Sequence, residues 1–278
     1  MRRKQSLETV EIQRFEPAGP ARPRSLLIAH DLFRNVRSCA PLGEALSREG
    51  FSVLAVGLPG HGESTCHKGE LGFYNFEDYV GPIARRLERI EPRPVVLTHG
   101  AASLFLCRIL EQRKEKAFHV GDLPAAIFLS PLGPEGLKPM VRGLKRRHPL
   151  DGRLGWIQKQ AYRWVRTPQL AAELFLSHPQ GVDLAAYHQT VQDESWRVVA
   201  SLARGREIPP LYQRLPARVL VGADSRVSPP ASTRPFAEFL GVPLEELPQR
   251  GHDLLAAPGS EALARDLANW IEGQGLDR

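Results

Sequence analysis

The sequence predicts an α/β protein: a mostly parallel sheet with helices on both faces and a helical segment inserted before the late strands. Three observations carry that prediction. Short runs of the chain are apolar throughout instead of alternating, as strands buried on both faces of a parallel sheet are. Between them, apolar residues recur at helical spacings of three and four. From about Pro131 to Pro210 the strand-like runs stop, while Trp156, Tyr162, Trp164, Tyr187 and Trp196 supply aromatic side chains for helices.

The first strand is read at Ser25-Leu26-Leu27-Ile28-Ala29 and the second at Phe51-Ser52-Val53-Leu54-Ala55-Val56. Asn75 then offers an N-cap for a helix whose apolar face is Phe76, Tyr79, Ile83, Leu87 and Ile90. Strands follow at Pro94-Val95-Val96-Leu97-Thr98 and at Ala125-Ala126-Ile127-Phe128-Leu129. After the helical stretch the strand pattern resumes at Ala217-Arg218-Val219-Leu220-Val221, and Leu263, Leu267 and Trp270 mark a last helix behind Pro258-Gly259-Ser260. Strand and helix in alternation make an open sheet covered on both sides. A helical insertion between two of its strands reads as a cap over the strand ends, where such sheets place their ligands. The expected division is a core of residues 1–130 and 211–278 and a cap of residues 131–210.

Composition narrows the class. With 278 residues, 42% of them hydrophobic and 24% charged, the chain is neither disordered nor coiled coil. Three cysteines without paired spacing argue against a disulfide scaffold and for a reducing compartment. No apolar run approaches the roughly 20 residues a bilayer span needs. Met1-Arg2-Arg3-Lys4 leads into Glu8, Glu11 and Arg14 without a signal-peptide core, so a soluble, cytoplasmic protein is expected. The net charge of +6 is unevenly placed: between Lys138 and Arg166, nine basic residues stand against Asp151 alone, a net +8. That stretch reads either as a solvated helical face or as a surface for anionic lipid headgroups or an acidic ligand. No nucleic-acid motif accompanies it.

The loops after the strands carry the chemistry. They hold His30-Asp31-Leu32-Phe33, Gly60-His61-Gly62-Glu63-Ser64, Thr98-His99-Gly100-Ala101-Ala102, Gly222-Ala223-Asp224-Ser225-Arg226-Val227-Ser228-Pro229 and Gly251-His252-Asp253-Leu254-Leu255, with Phe76-Glu77-Asp78-Tyr79-Val80 opening the helix after Asn75. On these motifs, over about residues 20 to 275, the chain resembles the α/β-hydrolase superfamily, in particular its monoacylglycerol lipase and lysophospholipase-like branch. The resemblance implies the α/β-hydrolase fold and a Ser-His-Asp triad whose Ser stands on a sharp Gly-x-Ser-x-Gly turn. His252 matches the base. Asp224 matches the acid, because Val227 and Pro229 follow it in the family's pattern; a shift of one residue puts Ser225 there instead. The nucleophile's position is Gly100, which has no side chain to attack with, and its flanking glycines have become Thr98 and Ala102. The Gly that normally follows the first-strand His is Asp31, a carboxylate where an oxyanion is stabilised. By the same resemblance His30, Asp31, Leu32, His99 and Ala101 are expected to line the ligand site.

Ser103, Cys39, Cys66 and Cys107 stand near enough in sequence to replace the nucleophile, but nothing around them activates one. His30, His61, Cys66, His67 and His252 lack compact ligand spacing, so no metal or cofactor is expected. Three functions fit an Asp224–His252 pair beside an empty nucleophile position. They are a non-hydrolytic pseudoenzyme binding a small apolar or acyl-type molecule, an enzyme using His252 as general base without covalent catalysis (lyase, isomerase or direct water hydrolysis), and a weak esterase.

Overall fold

The computed structural model describes residues 10–111 and 121–276; Met1–Lys4 and Glu8, read above as a basic N-terminus, lie outside them. Seven strands form one sheet: β1 (Ile12–Phe15), β2 (Leu26–Ala29), β3 (Val53–Val56), β4 (Val95–His99), β5 (Ala126–Leu129), β6 (Ala217–Gly222) and β7 (Leu244–Leu247). Their order is β1-β3-β2-β4-β5-β6-β7, with β1 antiparallel to β3 and every other pair parallel. All five apolar runs are therefore strands. The two the sequence did not signal are the edges, Ile-Gln-Arg-Phe and Leu-Glu-Glu-Leu, which are short and carry polar, incompletely buried residues in their middle.

Helices cover both faces: α1 (Ala40–Arg48), α2 (Phe76–Leu87), α3 (Ala102–Ile109), α4 (Lys138–Arg147), α5 (Pro149–Ile157), α6 (Pro168–Phe175), α7 (Leu184–His188), α8 (Trp196–Leu202), α9 (Pro230–Leu240) and α10 (Ser260–Gly273). Strand alternation splits the core in two. Leu26 and Ile28 join the layer under α1 and α10, while Leu27 and Ala29 join the layer under α2 and α3 and the helices that follow β5. α2 starts where Asn75 predicts: its side chain accepts from the N–H of Glu77 (2.9 Å) and Asp78 (3.3 Å), and Asp78 Oδ2 accepts from the Asn75 N–H (2.7 Å).

Between β5 and β6 the named elements are all helical: α4 to α8 and a 3-10 turn at Ala161–Trp164. β2, β4, β5 and β6 run parallel, so their following loops meet at one end of the sheet, and this segment bonds to the loop after β2: Glu194 accepts from the Phe33 N–H (3.1 Å) and the Gln192 N–H donates to the Phe33 carbonyl (2.9 Å). Among the described residues, no helix is long and apolar enough to cross a membrane.

Candidate active site

β4 ends in His99 and α3 begins at Ala102, so the chain reverses within Gly100 and Ala101. Gly100 makes that turn in left-handed backbone, φ +55°, a conformation that glycine adopts without the clash a Cβ would bring. A side chain at this position would begin inside the carboxyl group of Asp31.

Asp31 is held there from both sides. The Ala101 N–H donates to its Oδ1 (2.6 Å) and His252 Nε2–H donates to its Oδ2 (2.8 Å). The Ala101 amide is the N–H that follows the elbow residue, so the carboxylate sits where a developing oxyanion would be received. Both Asp31 and His252 are buried. Burial alone would raise the Asp31 pKa; the hydrogen bond and charge of His252 overcome it and hold the carboxyl below its ordinary value.

The other end of the His252 ring faces hydroxyls. Nδ1 lies 3.2 Å from Ser225 Oγ and 3.1 Å from Ser228 Oγ, and Ser228 Oγ also donates to the Ser130 carbonyl (3.0 Å). The Asp224–His252 pair expected from the sequence is not formed. Asp224 is exposed and its Oδ2 accepts from His178 Nε2 (2.8 Å). The turn after β6 directs Ser225, the one-residue alternative the sequence left open, toward the ring and leaves Asp224 in solvent. In a serine triad the base shows Nδ1 to the acid and Nε2 to the nucleophile. Here the one carboxylate on the ring stands at Nε2.

A family model described as alpha/beta hydrolase family matches residues 26–265. The chain belongs to the alpha/beta hydrolase family. Its fold is similar to that of a monoacylglycerol lipase from Paleococcus ferrophilus (20% identity, TM-score 0.65, covering 96% of this chain and 99% of that one). It is also similar to an enol-lactonase from Burkholderia xenovorans LB400 (16%, TM-score 0.63, 95% and 96%) and to a thermophilic esterase from Thermogutta terrifontis (16%, TM-score 0.60, 95% and 93%). At such identities these likenesses carry the fold and not the activity. No curated protein sequence matches significantly.

The remaining residues of this α/β hydrolase fall below or beside the site. His30 is buried; its Nδ1–H donates to the Asp31 carbonyl (2.9 Å) and its Nε2 has no partner. Burial first, and the neighbouring His61 charge second, push its pKa down to about 3. Leu32 packs in the core. His99 Nε2–H donates to the His252 carbonyl (2.9 Å), so His99 supports the loop from beneath. Ser103 Oγ bonds Thr98 Oγ1 (3.0 Å) inside the core, and burial pushes the Cys39 and Cys107 thiols up to about 12. None of these is an activated nucleophile. Among the described residues, the one triple of potential metal ligands is Asp31, His99 and His252, with ligand atoms within 4.8 Å of one another, not a set drawn from His61, Cys66 or His67. Asp31 and His252 already satisfy each other directly.

Two buried carboxylates were given no role by the sequence: Glu194, which no motif contains, and Asp253, which stands in the His252 motif. Glu194 Oε2 accepts from the Phe33 N–H (3.1 Å) and His61 Nε2 (3.1 Å), and Oε1 accepts from Tyr79 Oη (2.6 Å) and the Ser195 N–H (2.6 Å). His61 Nδ1–H donates to the Pro59 carbonyl (3.0 Å). Burial lowers its pKa, but the charge and hydrogen bond of Glu194, with the Pro59 carbonyl and the Asp193 charge, together outweigh burial and raise it. Asp253 receives Tyr187 Oη (2.8 Å) and lies 2.8 Å from Arg34 Nη2 as an ion pair. Both networks tie helices of the inserted segment, or the loops between them, to the loops bearing Asp31 and His252. Surface cavities of about 250, 600 and 410 Å³ lie elsewhere, and none is lined by Asp31, Gly100, Ser225 or His252.

Proposed function

We propose that this chain is a non-hydrolytic member of its family, a pseudoenzyme that has kept the fold and dropped the acyl chemistry. The observation that carries this reading is the Asp31 carboxylate, which fills the volume of a nucleophilic side chain at residue 100 and accepts both the Ala101 N–H and His252 Nε2–H. One internal anion thereby occupies the oxyanion donor and the base together. General-base catalysis by His252 alone is disfavoured by the same contacts: Nε2 faces Asp31 and Nδ1 faces Ser225 and Ser228, so neither nitrogen is open to substrate. Weak esterase activity through a water at Gly100 meets the same obstacle, since the space is taken. The resemblance to the monoacylglycerol lipase branch suggests a small apolar or acyl-type ligand. With Asp31 and His252 buried, such a ligand reaches the old centre only when the helical cap (residues 131–210) parts from the core (residues 1–130 and 211–278).

The test is a ladder of variants assayed on short- and long-chain p-nitrophenyl esters. Wild type and Gly100→Ser are expected to be silent, the second because Asp31 still fills the Ser position. Asp31→Gly with Gly100→Ser is expected to hydrolyse slowly. Adding Ser225→Asp, which supplies a carboxylate at Nδ1, is expected to raise kcat further, by up to ~10⁴-fold, the scale on which orienting the base matters. Wild-type hydrolysis that His252→Ala abolishes would overturn the reading.

A further inference from the structure

The inserted helices present one feature the site does not explain. Among the described residues only four large hydrophobic side chains are exposed, and the two most exposed, Leu150 (70%) and Ile157 (73%), stand on α5. Seven residues apart, they share one helix face, and Arg153 (exposed) and Leu154 (half-buried) fall between them on that face. The opposite face is pinned by close backbone approach. A Cβ at Gly152 would lie 3.0 Å from the Lys145 backbone, and one at Gly155 would run into the Trp164 indole. α5 is thus fixed with its apolar stripe outward; rotating it to bury Leu150 and Ile157 would drive side chains into α4 and Trp164.

The charge around the stripe has one sign. Of the exposed cations from Lys138 to Arg166, Arg142, Arg147 and Arg166 are paired with Glu135, Glu173 and Asp151. Arg146, Arg153 and Lys159 are exposed and form no ion pair with any described residue, and Lys145 lies over the Trp156 ring (5.4 Å). Asp151, the one acid in the stretch, is neutralised by Arg166. An apolar ridge about two turns long, with an unpaired cation in its middle and others just before and just after it in the chain, matches a lipid–water interface: the apolar side chains enter the acyl boundary while Arg and Lys reach the headgroups.

We infer that α5 is the membrane-docking edge of this protein, seating Leu150 and Ile157 in an anionic lipid surface with Arg146, Arg153 and Lys159 on the headgroups. This inference is independent of whether the buried centre is catalytic.

The experiment is sedimentation with vesicles of phosphatidylcholine alone or mixed with phosphatidylserine, using the full chain. The wild type is expected to bind the mixed vesicles at least about tenfold more tightly, with the difference shrinking at high salt. Leu150→Ser with Ile157→Ser is expected to weaken binding to the mixed vesicles by about tenfold or more. Arg146→Gln, Arg153→Gln and Lys159→Gln together are expected to erase the preference for phosphatidylserine. All five positions are exposed, and an unchanged thermal melt checks that the variants fold. Equal binding to both vesicle types, or none, overturns the inference. So does a self-association that Leu150→Ser with Ile157→Ser abolishes while vesicles are ignored, because the ridge is then an interface between copies of this chain.

Discussion

Two of the left-handed turns near the buried centre are made of opposite materials. At Gly100 (φ +55°) a glycine takes the conformation at little cost. At Phe33 (φ +61°) a buried aromatic residue takes it, a strain on the order of 1–3 kcal/mol that surrounding structure must hold in place. The holding comes from the segment between β5 and β6: Glu194 accepts the Phe33 N–H and the Gln192 N–H donates to the Phe33 carbonyl (2.9 Å). In the family's chemistry the strained turn is the one that exposes the nucleophile. Here the elbow is relaxed and the strain lies in the loop that aims Asp31. The contrast teaches that this centre spends its rigidity on placing an internal carboxylate.

That comparison is broken most forcefully at Glu194. Glu194→Ala leaves His61, Tyr79 and the Phe33 and Ser195 amides buried without their acceptor, and is expected to lower stability by roughly 3–5 kcal/mol, read as a lower urea midpoint. A loss under about 1 kcal/mol would mean that the strained turn needs no anchor from outside its loop.

A smaller effect is expected at the relaxed turn. Gly100→Ala combines left-handed strain with a Cβ inside the Asp31 carboxylate, and roughly 2–3 kcal/mol is the expected loss. Asp31→Ala removes the obstruction, so the double variant should be destabilised by at least about 1 kcal/mol less than the sum of the singles. Strict additivity would show that the two side chains do not compete for one space.

The smallest expected effect sharpens the comparison through pH. His30, next to Asp31, has a folded pKa of about 3, against about 6.5 in the unfolded chain. Between those values the unfolded chain binds a proton that the folded chain refuses, so stability is full above about pH 6.5 and falls as pH drops toward 3. By pH 5 the loss from this one group is on the order of 2 kcal/mol. His99, also lowered, first by burial and then by the His252 charge, adds in the same direction. The raised His61 contributes no slope there, because both states are protonated below the unfolded value. The depressed Asp31 acts only lower, losing its contribution below the unfolded carboxylate value of about 4. His30→Asn should remove about 1.4 kcal/mol per pH unit from the slope between pH 4 and 6. An unchanged slope would show that His30 is not the buried neutral group.

Much of the architecture was legible in the chain because burial on two faces leaves a mark that needs no partner to be read. The runs at Leu26, Val53, Val95, Ala126 and Ala217 are apolar at nearly every position, Arg218 and Thr98 apart, and became the central strands. Ile12–Phe15 and Leu244–Leu247 were not legible, since an edge strand buries less and carries Arg14 or Glu245 in its middle. At the centre, Gly100 and His252 could be located from motif and order. The partner of His252 could not, because neighbouring residues of a turn face different ways, and only the folded turn shows that Ser225 and not Asp224 faces the ring.

By itself, then, the sequence determined the sheet, the helical segment inserted into it, the missing side chain at residue 100 and the excess of basic residues after Lys138. Those are properties of composition and of periods two to four residues long, which local chain geometry imposes. Only the tertiary structure decided that Asp31 fills the position left by Gly100, that Glu194 anchors a strained loop 161 residues away in sequence, and that Leu150 and Ile157 point outward. Each depends on which segments meet across the fold, and the direction of a side chain at such a meeting is set by packing between residues far apart in the chain, for which no local pattern exists.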